Sequence, residues 1–139
     1  MKNVLRHSSI AIAIACAGLL ASYPTMAAEV TLSGHNEVPP VDTKAKGSGT
    51  VTVNADHTVT AKIHVTGMEG TAAHIHMGAA GANGPVIVPF TKTGENEFSA
   101  PAGAKLTDDQ YKAYEAGKTY VNVHSAAHKG GEVRVQLGN

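Results

Sequence analysis

The chain has 139 residues, with eleven basic and eleven acidic side chains. Lys2 and Arg6 fall in the first 28 residues, which carry no acidic group, so the remainder holds nine basic against eleven acidic groups, a net of −2. That balance excludes the basic stripe needed to track nucleic acid, a single Arg beyond residue 28 (Arg134) gives no forked phosphate readout, and the lack of Trp removes a stacking platform for sugars or bases.

Lys2 and Arg6 form a positive start, Ile10 to Leu20 is an apolar run, and Tyr23-Pro24 breaks it before the small residues Ala27-Ala28. This is the pattern of a secretory signal peptide over residues 1–28, cut after Ala27 or Ala28. The run is too short for a stable membrane span. One domain, 29–139, is expected in the periplasm or outside the cell. Cys16, the one cysteine, lies in the apolar run. It is either a small apolar residue there or a lipid anchor, for which Ala13 is a poor match. Once Cys16 is removed, no disulfide, thiolate ligand or Cys nucleophile remains.

Beyond the signal, β-branched residues and Gly alternate at short intervals, which predicts an all-β domain. Glu29–Ser33 reads as a strand, and Pro39-Pro40 ends any ladder there. Gly47–Val53 and Thr58–Val65 read as a hairpin around the turn Asn54-Ala55-Asp56. In the second of these, Val59, Ala61, Ile63 and Val65 share one face. Ala72–Met77, Val86–Phe90 and Glu97–Ser99 follow as short strands. Thr107-Asp108-Asp109-Gln110 is a capping box, with Leu106 and Tyr111 placed as a hydrophobic staple and Gly117 placed to end the helix. Tyr120–His124 and Glu132–Leu137 are the last strands, joined through Lys129-Gly130-Gly131. Several short strands and one helix predict a Greek-key β-sandwich.

Seven histidines lie beyond residue 28. His57 falls in a turn and His64 on the polar side of its strand, so both read as solvated surface groups. His74-Ile75-His76 differs, because residues two apart on a strand share a face and two such imidazoles can converge on one ion. His124 faces outward from the next cluster, and His128 can fold back towards it if Ser125-Ala126-Ala127 turns. The alternative is a solvated polar face without metal.

His74-Ile75-His76-Met77-Gly78, the loop through Gly84-Pro85-Val86, Tyr120-Val121-Asn122-Val123-His124 and Gly131-Glu132-Val133-Arg134 together resemble the CHRD domain. Thr31-Leu32-Ser33-Gly34 leading to Glu37-Val38-Pro39-Pro40 is similar to its opening, and the resemblance runs from about Val30 to Leu137. It implies an immunoglobulin-like β-sandwich in an exported protein and leaves the biochemical role open. The chain departs from the pattern at His35-Asn36, where Ala-Gln is commoner, at His128, and at Val135, where Gly is common. The first two departures add imidazoles. A fainter similarity joins His74, His76, His124 and Arg134, in that order, to the copper site of the copper-zinc superoxide dismutases. Their bridging His, zinc loop and disulfide have no counterpart here.

The leading expectation is an exported metal-binding protein that buffers or delivers copper, with zinc as the second metal. His74, His76 and His124 are the core ligands, with His128 or His35 to complete the site. Met77 is a soft candidate ligand whose other role is packing. One alternative is a copper-only, dismutase-like enzyme in which Arg134 attracts the anion. The preferred reading of Arg134 is a surface residue paired with Glu132 or another carboxylate on the sheet, and binding is preferred to catalysis. The other alternative is a metal-free interaction module whose Gly78–Gly84 loop meets an unknown protein partner.

Overall fold

Alternating apolar residues turn Val59–Thr66 into a strand with Val59, Ile63 and Val65 buried and Thr60, Lys62 and His64 exposed. The same logic runs through the computed structural model, which describes residues 27–138; the apolar run of the signal segment and Cys16 lie outside them. In chain order the elements are β1 (Ala28–Ser33), a 3-10 turn (Gly34–Asn36), β2 (Lys46–Val53), β3 (Val59–Thr66), β4 (Ala72–Met77), β5 (Val86–Pro89), β6 (Thr91–Gly94), β7 (Glu97–Ser99), α1 (Asp108–Glu115), β8 (Thr119–His124) and β9 (Val133–Leu137). The protein is all-β with one short helix.

The strands form one nine-stranded sheet in the order β5-β4-β8-β9-β1-β2-β3-β7-β6, antiparallel throughout. Its middle is a narrow seam. β1 and β9 meet at one pair, Ser33 opposite Arg134, whereas β2 and β3 pair over their full length. The seam divides the sheet into the two halves of the expected sandwich. The chain also crosses between the outer edges, since β5 and β6 are consecutive and only Phe90 separates them. The sheet is therefore curled nearly into a barrel. β9 returns beside the first of three successive strands, the Greek-key arrangement.

Leu32, Ile63, Ile75, Phe98, Val121, Val123 and Val133 fill the interior with essentially no exposure. Each such Leu, Ile or Phe contributes about 1.5–3 kcal/mol on burial. The helix starts as its capping box requires: Gln110 N donates to Thr107 Oγ1 at 3.2 Å, and Thr107 N donates to Gln110 Oε1 at 2.9 Å. Leu106 is buried, and Tyr111 and Tyr114 pack against the core. Gly117 follows with φ +69°, a left-handed conformation suited to glycine.

β6 was not legible in the sequence. Thr91-Lys92-Thr93-Gly94 is nearly all exposed and has no apolar alternation. Backbone pairing with β7 alone makes it a strand. The expected strand Val86–Phe90 stops at Pro89 because Phe90 is the corner between the two edges.

Candidate metal centre

Strand alternation sets the site. β4 sends Ala73 and Ile75 into the core and His74 and His76 to the outer face. On the neighbouring strand β8, Val121 and Val123 point inward, which leaves Tyr120, Asn122 and His124 on the same outer face as the two histidines. The register pairs His74 with Asn122, His76 with Tyr120 and Ala72 with His124. His124 is thus diagonal to His74, and His74 Nδ1 lies 3.1 Å from His124 Nε2. One ligand nitrogen from each of His74, His76 and His124 lies within 4.8 Å of the others.

Backbone carbonyls orient two of the three rings. His76 Nδ1 is 2.9 Å from Gly84 O, and His124 Nδ1 is 2.8 Å from Lys129 O. A carbonyl can only accept, so both Nδ1 atoms carry a proton, and in a neutral ring so held Nε2 is the nitrogen with the lone pair. This is the outer support that metal-binding imidazoles require. His76 Nε2 is buried with no hydrogen-bond partner. Burial pushes the His74 pKa down to about 4, helped by the neighbouring His124 and His76. Burial also lowers that of His76, against the pull of Gly84 O. Both rings are neutral at pH 7, the form that binds a metal ion.

The outer face is roofed rather than open. Tyr120, Asn122 and Arg134 are each at most 2% exposed. The loop between β4 and β5 covers them, and Gly84 is its fastening point: Gly84 N donates to Tyr120 Oη at 3.1 Å while its carbonyl holds His76. The His76 ring stacks on Tyr120 at 4.7 Å, nearly parallel. The Arg134 guanidinium lies 3.4 Å from the centre of the same tyrosine ring.

Arg134 is not the expected surface residue, and the carboxylate whose charge it meets is Glu37. It is 1% exposed and is not paired with Glu132. Its Nη1 donates to Asn83 Oδ1 at 3.1 Å and its Nη2 to Ala82 O at 2.7 Å and Ala79 O at 3.3 Å. Nη2 also reaches Gln136 Oε1 at 3.4 Å. His128 lies outside the three-histidine group; its Nε2 is 3.6 Å from Glu132 Oε1. His35 also lies outside it, on the wall of a cleft of about 600 Å³ that includes Glu37 and Arg134 but none of the three histidines. His57 stacks on Tyr111 at 4.1 Å, and His64 is an exposed neighbour of Glu97.

Sequence reasoning missed Glu37, which is 4% exposed. Burial pushes its pKa up to about 7, against the pull of Arg134 and Asn122. It precedes Pro39-Pro40 in an irregular segment, where no periodicity marks a buried acid.

An antiparallel, Greek-key β domain with an imidazole cluster on its outer face defines the class. Within it, the model of the CHRD domain family matches residues 28–137, and the chain belongs to that family. No curated protein and no solved structure matches the chain. No helix among the described residues is long and apolar enough to cross a membrane.

Proposed function

We propose that this CHRD-domain protein is exported to the periplasm or beyond, and there binds one copper ion through His74, His76 and His124 for buffering or delivery. The observation that carries the proposal is the convergence of three imidazole nitrogens within 4.8 Å, with the His76 and His124 tautomers set by Gly84 O and Lys129 O. Imidazole sets suit copper and zinc, and among divalent first-row ions Cu(II) binds most tightly. No Cys lies beyond residue 28, so a thiolate blue-copper site has no ligand. A carrier is favoured over a dismutase because the Arg134 guanidinium is committed to loop acceptors rather than offered to an incoming anion.

The test is titration of the metal-free protein with Cu(II), followed by electron paramagnetic resonance. One tightly held equivalent with coupling to several nitrogens is expected. Weak, non-stoichiometric uptake would refute the site and leave the metal-free interaction module. Cell fractionation checks the compartment, and recovery in the cytoplasm would refute export.

A further inference from the structure

Among the described residues, His76 Nε2, Asn122 Oδ1 and Glu37 Oε1 are three of five buried side-chain atoms without a partner at hydrogen-bonding geometry. Asn122 joins them. Its carboxamide lies against both the His76 ring and the Glu37 carboxyl, and it is the cross-strand partner of His74. Glu37 comes from a different part of the chain, the segment after the 3-10 turn, and is carried over β8 and β9. Gly131 makes the space. Its φ is +122°, and a methyl group there would collide with both Asn122 Nδ2 and Glu37 Oε1. A side chain at 131 would intrude between Asn122 and Glu37.

Unpaired acceptors grouped in a buried space are costly unless something positive shares it. Arg134 shares the region, but its hydrogen bonds go to the loop and to Gln136. The three imidazoles supply no negative charge to offset a metal ion. The Oε1 of the other buried acid beside β9, Glu132, meets the Thr43 hydroxyl and the His128 ring. Glu132 Oε2 is unpartnered as well, but Glu37 is the carboxyl that meets Asn122, the side chain that also meets His76.

We propose that Glu37, held by Asn122 and admitted by Gly131, is the counter-charge of the three-histidine site and makes it select divalent over monovalent ions. This rests on the metal reading above. Glu37 is a positioning residue here and does not ligate. Its interaction with a 2+ ion is twice that with a 1+ ion at the same place, so removing its charge lowers the two affinities by different factors. A structural role alone, such as misplacing His76, lowers both equally.

The test measures affinities of the wild-type protein and of Glu37→Gln for Cu(II), Zn(II) and Ag(I), the last a redox-inert monovalent probe. With a second-sphere loss of about 100-fold for the divalent ions, the loss for Ag(I) is about 10-fold. Equal losses for all three ions, or no loss, would overturn the proposal while leaving the metal site standing. A wild-type protein that takes no stoichiometric ion would overturn the metal reading and this inference with it. Asn122→Asp provides a second variant that does not depend on the folding of the first. It adds charge next to the histidines and is expected to raise the Cu(II) to Ag(I) affinity ratio; an unchanged or lower ratio counts against the proposal.

Discussion

Replacing Glu37 by Gln in the metal-free protein is expected to change how stability depends on pH. The folded-state pKa of Glu37 is raised from 4.5 to about 7, chiefly by burial. The folded protein therefore holds this proton more tightly than the unfolded chain. The stability that results is fully present below pH 4.5 and is lost as pH rises through 7. The interval corresponds to about 3 kcal/mol. His74 acts in the opposite direction: its value falls from 6.5 to about 4, so its stability is present above 6.5 and lost as pH falls through 4. The two partly cancel in the wild-type curve between 4.5 and 6.5, and the difference between wild type and Glu37→Gln isolates the glutamate. Urea unfolding in chelator at pH 4.5 and pH 8 provides the assay. The two proteins should be of similar stability at pH 4.5, and the Gln variant more stable by about 3 kcal/mol at pH 8. A wild type that is the more stable at pH 8 would show Glu37 ionised and well paired with Arg134, and would refute the reasoning.

His74→Ala and His124→Ala should each lower Cu(II) affinity by more than about 100-fold, since ligand loss exceeds the loss of an outer partner; calorimetric titration measures this. His57→Ala should leave that affinity unchanged and cost about 1 kcal/mol of stability through its lost stacking on Tyr111, read by thermal melting. Thr107→Ala removes one half of the capping box and should cost about 1 kcal/mol in urea unfolding; no change would mean the helix is held by Tyr111 and Tyr114 alone. Arg134→Ala leaves Asn83 Oδ1, Ala79 O and Ala82 O without their donor and should cost about 3 kcal/mol or more, with faster hydrogen exchange in residues 78–84.

Where a residue's neighbours in sequence decide its face, the fold was legible. Val59 to Val65 and Ala72 to Met77 are strands because their apolar residues alternate, and the same alternation put His74 and His76 together. Thr107 and Gln110 marked the helix start through local chemistry. What failed to show depended on long-range placement. His35 and His128 had the right side chain but not the right position, because the 3-10 turn carries His35 to the cleft and His128 is turned to Glu132. Arg134 alternates with Val133 and Val135 and so read as a surface residue. Its face is covered by a loop more than 50 residues earlier in the chain, which no local pattern records. Glu37 and Asn122 were invisible for the same reason.

The roof also explains why a buried arginine belongs in a site it does not touch as a ligand. Lys would put a single point charge where Arg offers separate donors to Asn83, Ala79 and Ala82. Those three bonds fix the Ala79–Asn83 loop, and the loop ends at Gly84, whose amide is held by Tyr120 and whose carbonyl fixes the His76 ring. Arg134 in turn lies on the Tyr120 ring. The guanidinium thus holds both the tyrosine beneath His76 and the loop that orients it. His124 gets the same service from a different loop, through Lys129 O. Among the described residues no such carbonyl meets His74, and its ring lies against His124, at 3.1 Å. The three rings therefore answer to two loops, one on each side of β8, and the second loop also brings Gly131 to the Glu37–Asn122 contact. Loosening either loop disturbs ring geometry before it disturbs the core, because the core face of β8 is packed independently by Val121 and Val123.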